Sequence, residues 1–132
     1  KVLVAGNGVK ALKVAHSMGE NHGPHDHDDE ADPHAWQDLA NALRYVDNIA
    51  QALGEADPAG QAVFQANASQ YKQEISALDG EIRKTFSTLP KERLKVVTTH
   101  DAFGYFGRAY GVTVILPNSI NTGRELSGHD AA

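Results

Sequence analysis

The sequence predicts an α/β protein of two partial lobes, each built on short parallel strands with covering helices, bridged by one long helix. Three stretches predict it. Leu94 to Leu116 reads as strand, helix, strand, and Pro58 to Leu89 is a single apolar-periodic run. Ahead of them, Val2 to Ala5 reads as a strand and Leu39 to Leu53 as an amphipathic helix. The chain is thus expected to divide into residues 1–56, a connecting helix over 57–90, and residues 91–132.

Composition narrows the function classes before any motif is considered. Of 132 residues, 41% are apolar and 22% charged, enough apolar side chain for a real core. The net charge of −5 is spread without a basic block, which argues against a nucleic-acid surface and offers an anionic membrane nothing to hold. No cysteine is present, so disulfides and thiolate zinc sites are excluded. No apolar run approaches the length of about 18 residues that a membrane span needs. Lys1-Val-Leu-Val-Ala5 reads as a strand entered midway, so the chain is expected to be a fragment or a processed form.

After the strand at Val2 to Ala5 and a turn at Gly6-Asn7-Gly8, Val9 to Met18 carries Leu12, Val14 and Ala15 at a spacing that suits a short helix or strand. His16 lies in this segment with no assigned role. Residues 21–32 then hold His22, His25 and His27 among Gly, Pro, Asp and Glu, with no periodicity, which predicts a solvated loop. Imidazoles interleaved with carboxylates form a weakly organised site for borderline divalent cations such as zinc. A cloning tag would not be internal and interleaved with acids; a polar loop without metal is the plainer alternative.

Asp32-Pro33-His34-Ala35-Trp36 opens an amphipathic helix on which Leu39, Leu43, Val46, Ile49, Ala50 and Leu53 recur at three- to four-residue spacing. Asp32 or Asp38 can cap it, and Pro33 leaves His34 at a rigid loop-to-helix junction. His34 is therefore held, whereas His22, His25 and His27 are loose. A ligand ordered only on binding subtracts its ordering entropy from the affinity, so held ligands retain an ion better. Taken alone, His34 reads first as a helix-start histidine bonded to solvent.

Asp57-Pro58 repeats the capping signal, and Val63, Tyr71, Ile75, Leu78, Ile82 and Phe86 carry a helix to about Leu89-Pro90, with Gly80 a weak point within it. At about 1.5 Å per residue such a helix spans about 45 Å, longer than a domain of this size is wide, so it should run along or between lobes. Leu94 to Thr99 is the β-branched run of a buried parallel strand. Asp101 can cap a helix through Ala102, Phe103, Phe106, Ala109 and Tyr110 that Gly111 closes, and Val112 to Leu116 is the next strand. His100 then sits in a strand-to-helix turn, the usual ligand crevice of an open α/β sheet. The competing reading is a capping or core histidine bonded to backbone. Beyond Pro117 the chain is loop-like, with Glu125 solvated, His129 unassigned, and an Ala-rich end.

Asp32-Pro-His-Ala-Trp36, the helix Asn41-Ala-Leu-Arg-Tyr-Val-Asp-Asn-Ile-Ala50, Tyr71 with Leu78-Asp79, and Val97-Thr-Thr-His-Asp-Ala-Phe-Gly-Tyr-Phe106 occur in one order. Together with the histidine-rich loop, this order resembles the extracytoplasmic solute-binding proteins of bacterial zinc ABC importers, the ZnuA type, over roughly Asn21 to Leu116. The resemblance implies two α/β lobes joined by one long rigid helix, with the metal in the cleft between them. It implies that residues 1–56 are the carboxy-terminal part of the first lobe and residues 91–132 the start of the second. It implies that His34 is a ligand from the first lobe and His100 one from the second, with His22, His25 and His27 a weak accessory loop. It also implies a periplasmic or surface-anchored location, lipid-anchored in the full-length protein, and a membrane permease as partner. The family pattern places a further histidine upstream of residue 1 and an acidic residue downstream of residue 132, so a complete site needs ligands outside this stretch. Thr122-Gly-Arg-Glu-Leu-Ser127 departs from the acidic run expected after the second strand.

Imidazole suits borderline zinc and carboxylate oxygen suits manganese, so histidine at position 100 favours zinc as the transported ligand; a manganese-type importer component is the alternative. A zinc hydrolase, with Asp101 as base beside His34 and His100, lacks a His-Glu-x-x-His pair or a nucleophile elbow, so no catalytic residue is expected. Because the lobes are incomplete, two copies exchanging elements is a further expectation.

Overall fold

The computed structural model describes residues 2–13 and 31–116. His16, the loop histidines His22, His25 and His27, Glu125, His129 and the Ala-rich end lie outside the described residues. The chain forms two compact units, one of Lys1–Lys10 with Ala35–Thr88 and one of Ala11–His34 with Leu89–Ala132. This grouping is not the one by sequence position, because His34 packs with the segment that carries His100.

In the first unit a 3-10 turn, Ala35–Gln37, leads into helix α1, Leu39–Ala56. Asp38 caps it, with an extended backbone and a side chain that accepts from the Ala40 amide at 3.0 Å. Asp57 ends α1 and caps a second 3-10 turn, Pro58–Gly60, accepting from the Ala59 amide at 3.1 Å, before helix α2, Gln61–Ser87. The two helices form an antiparallel pair: Gly54 lies against the Gln61 side chain, and the Lys72 ammonium meets the Asp47 carboxylate at 2.6 Å. Ala50 and Gly54 on α1 and Ala68 and Ile75 on α2 are the buried positions, and small residues there let the helix axes approach. The expected strand at Val2 to Ala5 does not form. Asn48 donates instead to the carbonyls of Ala5 at 2.7 Å and Asn7 at 3.0 Å, fixing a turn, and Val2 and Val4 are 91% and 66% exposed with no paired strand.

In the second unit β1, Lys95–Val97, pairs in parallel with β2, Thr113–Ile115, Val96 standing opposite Val114. The crossover between them is helix α3, Gly104–Tyr110, as the β-α-β reading requires. Gly111 closes α3 at φ 72, its amide bonded to the Gly107 carbonyl, a left-handed position that other residues adopt only with strain. Two expectations are corrected. Asp101 caps nothing: α3 begins two residues later than the apolar spacing suggests, because the Ala102 amide turns back to the His100 carbonyl at 3.0 Å. The strands are not buried, with Val96 43% and Val97 67% exposed, since two strands and one short helix cannot cover both faces. The core here is Ala102, Tyr105, Tyr110 and Val112, together with the carboxylate of Asp32.

Candidate metal centre

The site is built on the junction that Pro33 stiffens. Asp32 Oδ1 accepts from the His34 amide at 2.8 Å, the two-residue reach of an aspartate folding back on its own chain. The same oxygen lies 2.8 Å from His34 Nδ1. A carboxylate only accepts, so Nδ1 carries a proton, and in the neutral ring Nε2 then keeps its lone pair. This is the arrangement in which a carboxylate fixes the tautomer and direction of a metal-binding imidazole. Asp32 is held in turn. Its amide donates to the Leu12 carbonyl at 2.8 Å, its carbonyl accepts from the Tyr105 hydroxyl at 3.2 Å, and only 8% of it is exposed.

His100 follows β1 and precedes α3, and its half-buried ring stands 5.3 Å from that of His34, centroid to centroid, at an interplanar angle of 85°. Two imidazoles on one tetrahedral zinc, each bound at about 2.0–2.1 Å, would hold their centroids about 5 Å apart. A T-shaped ring contact has a similar spacing. What distinguishes the two readings is Asp32, which leaves Nε2 of His34 as an acceptor that ring packing alone does not need. Asp101 completes the surroundings. Burial pushes its carboxyl above the ordinary aspartate range, the charge of Asp32 adds to this, and His34 and His100 oppose it. The two imidazoles thus share an acidic, partly desolvated environment that attracts a cation.

Among the described residues, no group of three or more His, Cys, Asp or Glu side chains is arranged to hold a metal, and the candidate pair there is His34 and His100. The structure brings these two predicted residues together. Sequence reasoning missed the part played by Asp32, which it offered only as a helix cap, although its two-residue spacing from His34 is the available signal. It also missed Tyr105, whose partners lie 73 and 93 positions away, beyond any local pattern.

A family profile described as zinc-uptake complex component A, periplasmic, matches residues 1–132. The chain is 40% identical over 94 residues to the metal ABC transporter substrate-binding lipoprotein ScbA of Streptococcus cristatus, a stretch covering 71% of this chain and 30% of that protein. It is 38% identical over 91 residues to the manganese ABC transporter substrate-binding lipoprotein PsaA of Streptococcus pneumoniae, covering 69% and 29%. The crystal structure of ZnuA superposes with a TM-score of 0.78 at 25% identity, over 98% of this chain and 45% of that one. The chain therefore spans well under half the length of these relatives. The matching family is described as periplasmic, and ScbA and PsaA are lipoproteins by name. Its α/β architecture, its motif order and the match along its whole length show that the chain belongs to the ZnuA family of extracytoplasmic solute-binding proteins that serve metal ABC importers.

Proposed function

We propose that the chain carries part of the metal site of a protein that captures zinc outside the cytoplasm and delivers it to the membrane permease of an ABC importer. The observation that carries this reading is the 5.3 Å pairing of His34 and His100, with Asp32 fixing the proton on Nδ1 of His34. Capture and release need no reacting group, so the reading assigns no catalytic residue. Zinc is favoured because both ligands are imidazoles and neither Asp32 nor Cys is free to add a harder or softer donor. Manganese is the second reading, supported by the relative PsaA, a manganese transporter component by name, and by the Asp101 carboxylate beside both rings. His22, His25 and His27 assist capture as a loop.

Competition between the two ions separates these readings. Zinc outcompetes manganese at most sites by the Irving–Williams order, so the histidine variants decide: His34→Ala or His100→Ala should narrow the zinc preference of the full chain, because imidazole ligation widens it. Manganese retained against equimolar zinc would overturn the zinc assignment. Imidazole must be neutral to coordinate, so protons compete with zinc and binding should weaken on acidification. Full stoichiometry at about pH 4.5 would refute a histidine-based site.

A further inference from the structure

Tyr105 is the most buried large side chain described, at 1% exposure, yet its hydroxyl is fully used. It accepts from the Leu12 amide at 2.8 Å and donates to the Asp32 carbonyl at 3.2 Å. The Asp32 amide donates back to the Leu12 carbonyl, so three residues close a ring of hydrogen bonds around the backbone that presents the Asp32 carboxylate. The neighbouring residue on α3, Gly104, faces the other side of that carboxylate: a Cβ there would stand 3.1 Å from Asp32 Oδ2. Oδ1, the remaining oxygen, holds the amide and ring of His34. Four residues upstream of Gly104, the same segment carries His100.

We infer that Tyr105 is a positioning residue for metal capture: through its hydroxyl, with Gly104 as the space that admits the carboxylate, α3 sets the direction of the His34 imidazole relative to His100. This inference rests on the metal-site reading above. A hydrogen bond deep in a unit stiffens what it ties, and an outer partner of a metal-binding imidazole matters through the orientation it imposes. α3 would thereby align both rings before the ion arrives, His100 by covalent continuity and His34 through Asp32. Arg108 adds a guanidinium 5.4 Å from the Tyr105 ring centroid, which fixes the phenol further.

The test separates positioning from mere packing. Tyr105→Phe keeps the buried ring and removes the hydroxyl. Long-range nitrogen–proton NMR on the metal-free full chain should then show the His34 ring passing from a single Nδ1-protonated tautomer to a mixture. Zinc affinity should fall by about tenfold to a hundredfold. Tyr110→Phe, a buried tyrosine on the same helix, should change neither. If Tyr105→Phe does not fold, Gly104→Ala decides, since it crowds Asp32 while leaving the hydroxyl in place and should shift the tautomer in the same direction. An unchanged tautomer in a folded Tyr105→Phe or Gly104→Ala protein, or an equal effect from Tyr110→Phe, overturns the inference. The metal-free tautomer is measured without zinc, so failure of the parent protein to bind zinc would count against the metal-site reading and leave this result to stand by itself.

Discussion

Asp32 is the residue on which the geometry of His34 turns, and its worth can be stated as an affinity. Asp32→Asn keeps the shape but exchanges a charged acceptor for a neutral amide, so the imidazole loses basicity and its fixed proton. Zinc binding should weaken by about tenfold to a hundredfold, measured by competition with a chelator. Asp101 has the opposite character. Burial raises its pKa above the ordinary aspartate value, so the folded chain holds that proton more tightly than the unfolded one. Its contribution to stability is therefore complete at acid pH and is lost as pH rises through the folded-state value. Asp101→Asn should leave metal-free stability little changed near pH 3 and raise it near neutrality, read from urea unfolding at the two values; a loss at neutral pH would contradict the burial cause. At this scale the junction position of His34 and the turn position of His100 were legible in the sequence because residue type and flanking elements are local. Tyr105 was not, because a hydroxyl's partners 73 and 93 residues away leave no periodic trace.

Among the elements, α1, α2 and the β-α-β crossover follow from apolar spacing and cap residues, and the structure departs from the sequence where local preference met missing partners. Val2 to Ala5 has β propensity but no strand beside it among the described residues, and Asn48 takes the Ala5 carbonyl instead. The start of α3 slipped because capping is settled by where the His100 to Ala102 backbone turns, a feature that spacing cannot show. Two glycines make a paired prediction. In α2, Gly80 has nothing within 4 Å of an added Cβ, so Gly80→Ala should stabilise the chain by about 1 kcal/mol through helix propensity. In α3, a Cβ on Gly107 would meet the Val112 carbonyl oxygen at 2.6 Å, a backbone atom that cannot swing aside. Gly107→Ala should therefore destabilise by about 1–3 kcal/mol and loosen β2, with thermal unfolding of both variants as the check. Equal effects of the two changes would mean that α3 does not press on the turn into β2.

For the whole molecule, the family and its fold class were legible because several motifs occur in one order, which no single histidine conveys. The grouping into compact units was not, since packing joins His34 to a segment more than 50 residues downstream rather than to the helix that follows it. His34 and His100 are proposed to bind one ion, with His22, His25 and His27 assisting. Zinc competition against a chelator, on variants of the full chain, tests this shared site. His34→Ala and His100→Ala should each weaken zinc binding by at least about a hundredfold, because each opens one of about four coordination positions. Replacing His22, His25 and His27 together by alanine should cost less than about tenfold, since the sequence reads them as a solvated loop, outside the described residues, and a ligand ordered only on binding adds little to retention. Parent-like affinity in either single variant, or a greater loss from the loop change, would contradict the shared site.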